Sequence, residues 1–295
     1  MPELPEVETV RSGLEPVLTG RRFVRVEQRR PDLRFPLPER FAERLTGRRV
    51  LRLDRRAKYI LVHLDRDEVL AVHLGLTGRL IVSNGGPERD LTLGQYVYEH
   101  GKDAKHDHLV FTMSGGAVVT YNDARRFGYM TLIPERELAQ DAFFAGLGVE
   151  PLGDDLNGAY LARRALGRKA DLKAFLMDQR IVAGLGNIYV CEALFRAGLD
   201  PWKPASRLAT RTGKPTPAAE RLAAEIKAVL SDAIRAGGST LRDYKRADGT
   251  SGLFQNEFGV YGREGEPCAR SGCLGTVRRK VQGGRSTFYC AMCQR

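Results

Sequence analysis

A change of hydrophobic period partway along the 295-residue chain limits the fold more than any other feature. Between residues 23 and 133 the apolar residues fall in eight short runs: FVRVEQ, RRVLRLD, KYILVHL, EVLAVHL, RLIVS, HLVFTM, GAVVTYND and GYMTLI. They are rich in β-branched residues and often alternate with polar ones. Gly, Asp, Asn and Pro separate them, which is the pattern of antiparallel strands in a sandwich or barrel. From about residue 153 the spacing turns helical.

Helices are also marked at their ends. Val7, Val10, Leu14 and Val17 recur every three or four residues and predict an opening helix that tolerates Pro5 in its first turn. The segment PDLRFPLPERFAERLTG holds a short helix between early strands. Asn157 is placed to cap a helix running through Tyr160, Leu161 and Leu166. Further helices are expected from Asp171 to Gln179 and from Asn187 to Ala197, the latter stopped by Gly198. A longer one follows Thr216 as cap and Pro217 as first residue. Its apolar face is Leu222, Ile226, Val229, Leu230 and Ile234, and Gly237-Gly238 ends it. STLRDYKRADGTSGL, from Ser239 to Leu253, reads as a mobile polar loop. The expected architecture is α+β. An N-terminal helix and antiparallel β-sandwich occupy 1–134, and 135–152 is a linker. Helices and the polar loop follow over 153–254, with a cysteine-bearing hairpin module over 255–295.

Charge narrows the function. Lys plus Arg number 47 against 36 Asp plus Glu, a formal net charge of +11, which favours a polyanionic partner such as nucleic acid. No apolar run is long enough to span a bilayer, and MPELPEVETV lacks the basic start and apolar core of a signal peptide. A soluble cytoplasmic protein is expected.

Four of the five cysteines, Cys268, Cys273, Cys290 and Cys293, crowd the last 28 residues with spacing C-x4-C-x16-C-x2-C. Two close pairs across a hairpin-sized gap can bring four thiolates to one tetrahedral Zn²⁺. Four sulfurs leave no open position, so the ion would be structural. Two disulfides or free thiols are the alternative. Between the pairs, Arg278, Arg279, Lys280 and Arg285 lie on a hairpin turning at Gly283-Gly284, a basic ribbon able to grip phosphates. Cys191, on the apolar face of a helix, reads as core.

The N-terminus offers covalent chemistry. Loss of Met1 would leave Pro2 with a secondary amine. Attack on an aldehyde-like carbon by such an amine gives an iminium with a permanent positive charge, an electron sink for elimination. A helix start disfavours the protonated amine, while Glu3 and Glu6 favour it; Glu3 could also shuttle a proton. The alternative is that MPELPE simply starts a helix.

Six segments carry a resemblance: PELPEVET (2–9), RRAKYIL (55–61), HLGLTGRL (73–80), NDARRFG (122–128), DQRIVAGLGNIYVCEALFRAGLDP (178–201) and the tail ending FYCAMCQR. Together they resemble the formamidopyrimidine-DNA glycosylase family, in the family's order and over nearly the whole chain. The resemblance implies a helix–two-turn–helix domain with a C-terminal zinc-finger hairpin. It also implies a monomeric base-excision repair enzyme, with glycosylase and AP-lyase activities, that acts on 8-oxoguanine and formamidopyrimidines in damaged double-stranded DNA.

On this resemblance Pro2 is the nucleophile at C1′, and Glu3 shuttles protons. Lys58 supports catalysis from a β-hairpin, and Arg285 binds phosphate near the lesion. Glu6 lines the base pocket. Leu76, Arg125 and Phe127 fill the gap left by the flipped nucleotide, Leu76 standing where the family usually has methionine. His73, Lys173 and Asn187 contact DNA, and the loop from Arg242 to Gly252 closes over the flipped base. The first cysteine pair is spaced x4 where x2 is common. PELPE rather than PEGPE favours this branch over the endonuclease VIII-like branch, which prefers oxidised pyrimidines. A non-catalytic zinc protein that binds damaged DNA is the reading from another class.

Overall fold

The computed structural model describes residues 2–83, 91–93, 103–239 and 254–295, so the loop expected over 239–253 lies, beyond Ser239, outside the described residues. The chain divides into two compact units. One comprises Met1–Ala145 and Ala236–Gln255, the other Gly146–Arg235 and Asn256–Arg295.

The first unit opens with α1 (Leu4–Leu18). Pro5 is accommodated in its first turn, where a missing N–H costs no helical hydrogen bond. Its strands are β1 (Phe23–Gln28), β2 (Val50–Arg56), β3 (Tyr59–Leu64), β4 (Glu68–His73), β5 (Arg79–Ser83), β6 (Leu91–Leu93), β7 (Asp107–Met113), β8 (Val118–Asn122) and β9 (Tyr129–Pro134). The short helix α2 (Phe41–Leu45) stands between β1 and β2. All eight sequence runs are strands; the three-residue β6 has no apolar run long enough to announce it. Two antiparallel sheets form, in orders β1-β7-β8-β5-β6 and β2-β3-β4-β9.

One core joins both sheets and α1. Val10 and Leu14 of α1 lie with Ile60, Val62, Leu70 and Val72 of one sheet and Leu80, Phe111, Val119 and Tyr121 of the other. Alternation along the strands puts these residues on the inner faces. The outer face of β3 and β4 is buried as well, through Leu61, His63, Val69 and Ala71. The segment after β9 crosses that side: Phe144 meets Tyr59 with ring centroids 4.8 Å apart. Glu135 Oε1 lies 3.0 Å from His63 Nδ1. Burial on both faces is why β3 and β4 read as nearly continuous apolar runs.

The second unit is helical and carries a two-stranded tail. α3 (Gly158–Ala165) starts at Asn157, whose side chain accepts from Tyr160 N. α4 (Leu172–Met177) starts at Asp171, whose carboxylate accepts from Ala174 N. α5 (Asn187–Ala197) stops at Gly198, with φ 69° in the left-handed region that glycine adopts at low cost. α6 (Pro217–Arg235) follows Thr216, whose hydroxyl accepts from Ala219 N. β10 (Val277–Gln282) and β11 (Arg285–Cys290) pair antiparallel around Gly283 and Gly284, both at positive φ as a tight two-residue hairpin turn requires. Cys191 of α5 is fully buried beside Val277, Phe288 and Cys290, as expected of a core residue. Among the described residues no helix is long and apolar enough to cross a membrane.

Leu14 is 1% exposed and lines a small internal cavity with Phe23, Ile60 and Val62. Leu14→Ala is expected to cost about 2–5 kcal/mol. The check is a lowered urea midpoint of unfolding; an unchanged midpoint contradicts the shared core.

Candidate active site and nucleic-acid interface

The expected catalytic residues of the first unit stand at the start of α1 and at the tip of the β2–β3 hairpin. Pro2 is buried, and Glu3 and Glu6 are 4% and 3% exposed. Glu3 N donates to Glu6 Oε2 at 2.9 Å, and Ser239 donates to Glu6 Oε1 through its N–H at 2.8 Å and its hydroxyl at 2.9 Å. Glu6 therefore ties the helix start to the chain just past α6.

Lys58 sits in the two-residue turn between β2 and β3, yet is only 8% exposed. Ala57 before it has φ 52°, a left-handed conformation that costs a residue with a Cβ about 1–2 kcal/mol. The surroundings hold it there. Arg55 donates from Nη1 to Ala57 O at 3.0 Å and from Nε to Glu8 Oε2 of α1 at 3.0 Å. Arg11 of α1 donates to Leu53 O at 3.2 Å. Helix and hairpin are thus laced together, so the turn bearing Lys58 is fixed with respect to the helix bearing Pro2, Glu3 and Glu6.

His73, at the end of β4, stacks on Tyr129 at 5.0 Å and accepts from Gly75 N through Nδ1 at 3.0 Å. Burial, and then the positive charges of Lys58 and Arg34, depress its pKa to about 4. An accepting Nδ1 and a depressed pKa agree: the ring is neutral at pH 7 and carries its proton on Nε2. Burial raises the pKa of both the Tyr59 and Tyr129 hydroxyls, which are hydrogen-bonded to each other, that of Tyr129 well above its usual range.

Leu76 lies half-buried on the turn after β4, and Arg125 and Phe127 lie exposed on the turn after β8. The Arg125 guanidinium sits 4.6 Å from the Phe127 ring centre. Asp123, fully buried between the two turns, is a residue that sequence reasoning did not single out, since Asn-Asp before a turn is ordinary turn chemistry.

In the second unit Gln179 shapes the turn before α5. Its Oε1 accepts from Gly184 N and its Nε2 donates to Leu185 O, both at 2.8 Å. Asn187 opens α5 and donates to Ser286 O at 3.0 Å. Lys173 is 2% exposed; its Nζ donates to Thr287 Oγ1 at 2.6 Å and to Ser286 O at 3.2 Å. Both side chains, expected at phosphates, face the β10–β11 hairpin and hold the strand that begins with Arg285. Helical spacing showed nothing of this, because a lysine in a helix's first turn normally points to water. Arg278, Arg279, Lys280 and Arg285 are exposed, so the hairpin presents a basic surface.

The four tail thiols lie within 4.8 Å of one another. Cys268–Cys293 and Cys273–Cys290 sulfur separations are each 3.7 Å, too long for a disulfide and close to the ~3.8 Å edge of a tetrahedron with 2.3 Å metal–sulfur bonds. Backbone N–H groups of Arg270 and Gly275 point at Cys268 Sγ and Cys273 Sγ. A Cβ on Gly275 would lie 2.6 Å from Cys290 Sγ, so the cluster needs glycine there. These residues can bind a metal ion, and the x4 spacing does not prevent the four sulfurs from converging.

The family model of the formamidopyrimidine-DNA glycosylase N-terminal domain matches residues 1–130, and that of the family's H2TH domain matches 147–245. The formamidopyrimidine-DNA glycosylase of Chelativorans sp. (strain BNC1) is 56% identical over 299 residues, covering 100% of both chains. The chain belongs to the formamidopyrimidine-DNA glycosylase family. Among solved structures, the MutM (Fpg) protein of Thermus thermophilus is 36% identical with a TM-score of 0.80, the match covering 99% of this chain and 98% of that one. Lactococcus lactis Fpg in complex with DNA containing an abasic site is 31% identical with a TM-score of 0.82, covering 100% of both chains. Both family domains are therefore present, the first holding Pro2, Glu3, Glu6, Lys58, His73, Leu76, Arg125 and Phe127, the second Lys173 and Asn187.

For a glycosylase of this family, the state of His73 decides whether the site gains charge in mild acid. Its folded pKa lies below the ordinary 6.5, so it contributes stability that is present above 6.5 and lost as pH falls through about 4. The His73 ring resonances are expected to stay at neutral positions down to pH 5. His73→Gln should flatten the loss of thermal stability between pH 6 and 4. A His73 resonance titrating near 6.5 refutes this.

Proposed function

We propose that the protein is a base-excision repair DNA glycosylase and AP lyase that removes oxidised purines from duplex DNA. The observation that carries this reading is the full-length identity to formamidopyrimidine-DNA glycosylases, taken with a buried Pro2-Glu3 pair at the start of a helix laced to the Lys58 hairpin. The damaged nucleotide leaves the stack, since its sugar carbon is out of reach inside the duplex. With Met1 removed, the Pro2 nitrogen attacks C1′, the base departs, and the ring-opened sugar is held as an iminium. That cation acidifies C2′. Loss of a C2′ proton expels the 3′ phosphate, and a second elimination expels the 5′ phosphate. Glu3, beside the nucleophile, moves protons at the sugar oxygen, and the Lys58 ammonium offsets negative charge near the lesion phosphate.

His73, Asn187 and Arg285 supply phosphate contacts. Lys173 serves them indirectly by holding Ser286 and Thr287, next to Arg285. The four cysteines would hold one structural Zn²⁺, whose contribution is to fold the basic hairpin; every covalent step belongs to the N-terminal unit.

Borohydride added during turnover on a duplex with one 8-oxoguanine opposite cytosine should trap a covalent complex mapping to Pro2. Pro2→Gly should lower base excision by at least about a hundredfold, and Glu3→Gln by about 10²–10⁴-fold. Trapping at another amine, or full activity with Met1 retained, refutes the mechanism. A duplex panel bearing oxidised pyrimidines tests the substrate class; preferential cutting there would move the enzyme to the other branch.

Metal analysis should find one zinc per chain. Stripping it with a chelator is expected to open the Arg278–Arg285 region to trypsin and to weaken DNA binding at least about tenfold, with binding restored by zinc. Unchanged binding by metal-free protein counts against a structural role for the tail.

A further inference from the structure

Asp123 is 0% exposed, and both of its oxygens are hydrogen-bonded, one of them to groups on two different turns. Oδ1 accepts from the Thr77 hydroxyl on the turn after β4 and from Arg125 N at 3.3 Å. Oδ2 accepts from Tyr121 OH at 3.0 Å and from Gly128 N at 2.9 Å. Thr77 Oγ1 in turn accepts from Arg125 N at 3.3 Å. One carboxylate therefore grips the residues before and after Arg126-Phe127 and also reaches the turn that carries Leu76. Its own backbone carbonyl accepts from His108 Nε2 at 2.8 Å, which anchors it to β7.

The packing leaves the two turns little freedom. A Cβ on Gly75 would fall 2.2 Å from Gly128 N and from Phe127 C. A Cβ on Gly128 would fall 1.9 Å from Tyr121 OH and 2.7 Å from His73 O. The backbones thus touch where no side chain fits. A buried carboxylate bonded by hydroxyls and backbone N–H groups is costly unless its lone pairs are used, and here four donors use them. A turn needs only one such bond to close. Here three of the bonds close the turn after β8 on itself, and the Thr77 hydroxyl, which donates to Asp123 Oδ1 and accepts from Arg125 N, ties that turn to the one after β4.

We propose that Asp123, acting with Thr77, is the positioning residue that sets the separation of Leu76 from Arg125 and Phe127 before DNA arrives. This rests on the reading of those three side chains as the group that fills the vacated site. Asp123 touches no DNA atom itself. Its effect is on extrusion of the damaged nucleotide, because the fillers enter the stack correctly spaced only if the two turns are already joined.

The test compares Asp123→Asn, Thr77→Val, Thr77→Ser and Phe127→Ala under single-turnover conditions. Asp123→Asn makes one acceptor a donor that faces either Thr77 and Arg125 or Tyr121 and Gly128. Three quantities are read: excision of 8-oxoguanine opposite cytosine, cleavage of a preformed abasic site in the same duplex, and the fluorescence rise of a 2-aminopurine beside the lesion as it unstacks. Asp123→Asn and Thr77→Val are expected to slow excision about ten- to a hundredfold, the scale of a ~1 Å misplacement, with the fluorescence rise slowed equally. Excision should fall at least about tenfold further than abasic cleavage. Thr77→Ser, which keeps the hydroxyl, should restore the rate. Asp123→Asn combined with Phe127→Ala should lose little more than Phe127→Ala alone.

Equal losses on both substrates, or losses that multiply in the double variant, would reduce Asp123 to a fold-stabilising role and overturn the proposal. Unchanged rates overturn it too. If Phe127→Ala itself leaves extrusion untouched, the assignment of the filling residues fails first, a result distinct from the others. Should Asp123→Asn not fold, the contrast of Thr77→Val with Thr77→Ser decides the matter.

Discussion

The Arg55 guanidinium, bonded at once to Glu8 of the first helix and to the carbonyl of Ala57, sets the position of the first helix against the Lys58 hairpin. The Pro2-Glu3 pair sits immediately before the first turn of α1. Its position is inherited from the helix it opens, and that helix must be locked to the sheet. Packing of Val10 and Leu14 into the shared core supplies cohesion but is tolerant of sliding. The Arg55 and Arg11 bonds to one helix face and two carbonyls remove that tolerance. The same bonds keep Ala57 in a left-handed conformation it would not choose, so the turn with Lys58 is held rather than merely allowed.

The second unit solves a related problem with buried charge. Glu192 of α5, 1% exposed, accepts from Gly259, Val260 and Tyr261 N–H groups at 2.8–3.0 Å. Burial pushes its pKa up while those donors pull it down. Lys173 does the complementary work on β11 through Ser286 and Thr287. Between them the basic hairpin is fastened to the helices at its approach and at its second strand. A tail with so small a core needs such anchors.

Much of this was legible beforehand. The helix caps at Asn157 and Asp171, the stop at Gly198 and the Gly283-Gly284 turn follow from local chemistry and need no tertiary context. The apolar runs gave the strands, though β2 runs from Val50 rather than Arg48, because the Arg48 N–H still bonds to Leu45 O in the turn that ends α2. The resemblance puts Lys173 at DNA, and nothing in the sequence singles out Asp123. A lysine is expected in water and an aspartate before a turn is expected to cap it, so neither burial was visible in the string of letters.

Local patterns alone determined that this chain has a β-rich part followed by a helical one, that its tail carries two close pairs of thiols across a hairpin, and that the N-terminal Pro-Glu pair opens a helix. Those properties depend on periods of two and 3.6 residues and on spacings of a few positions, which any segment carries with it. Tertiary structure decided which charged side chains are exposed and which are spent inside. It also decided that the chain past α6 returns to the first unit, so that Ser239 meets Glu6. Such contacts join positions 46 to 233 residues apart. They are selected by the free energy of pairing buried polar groups in the assembled core, a quantity that has no local signature.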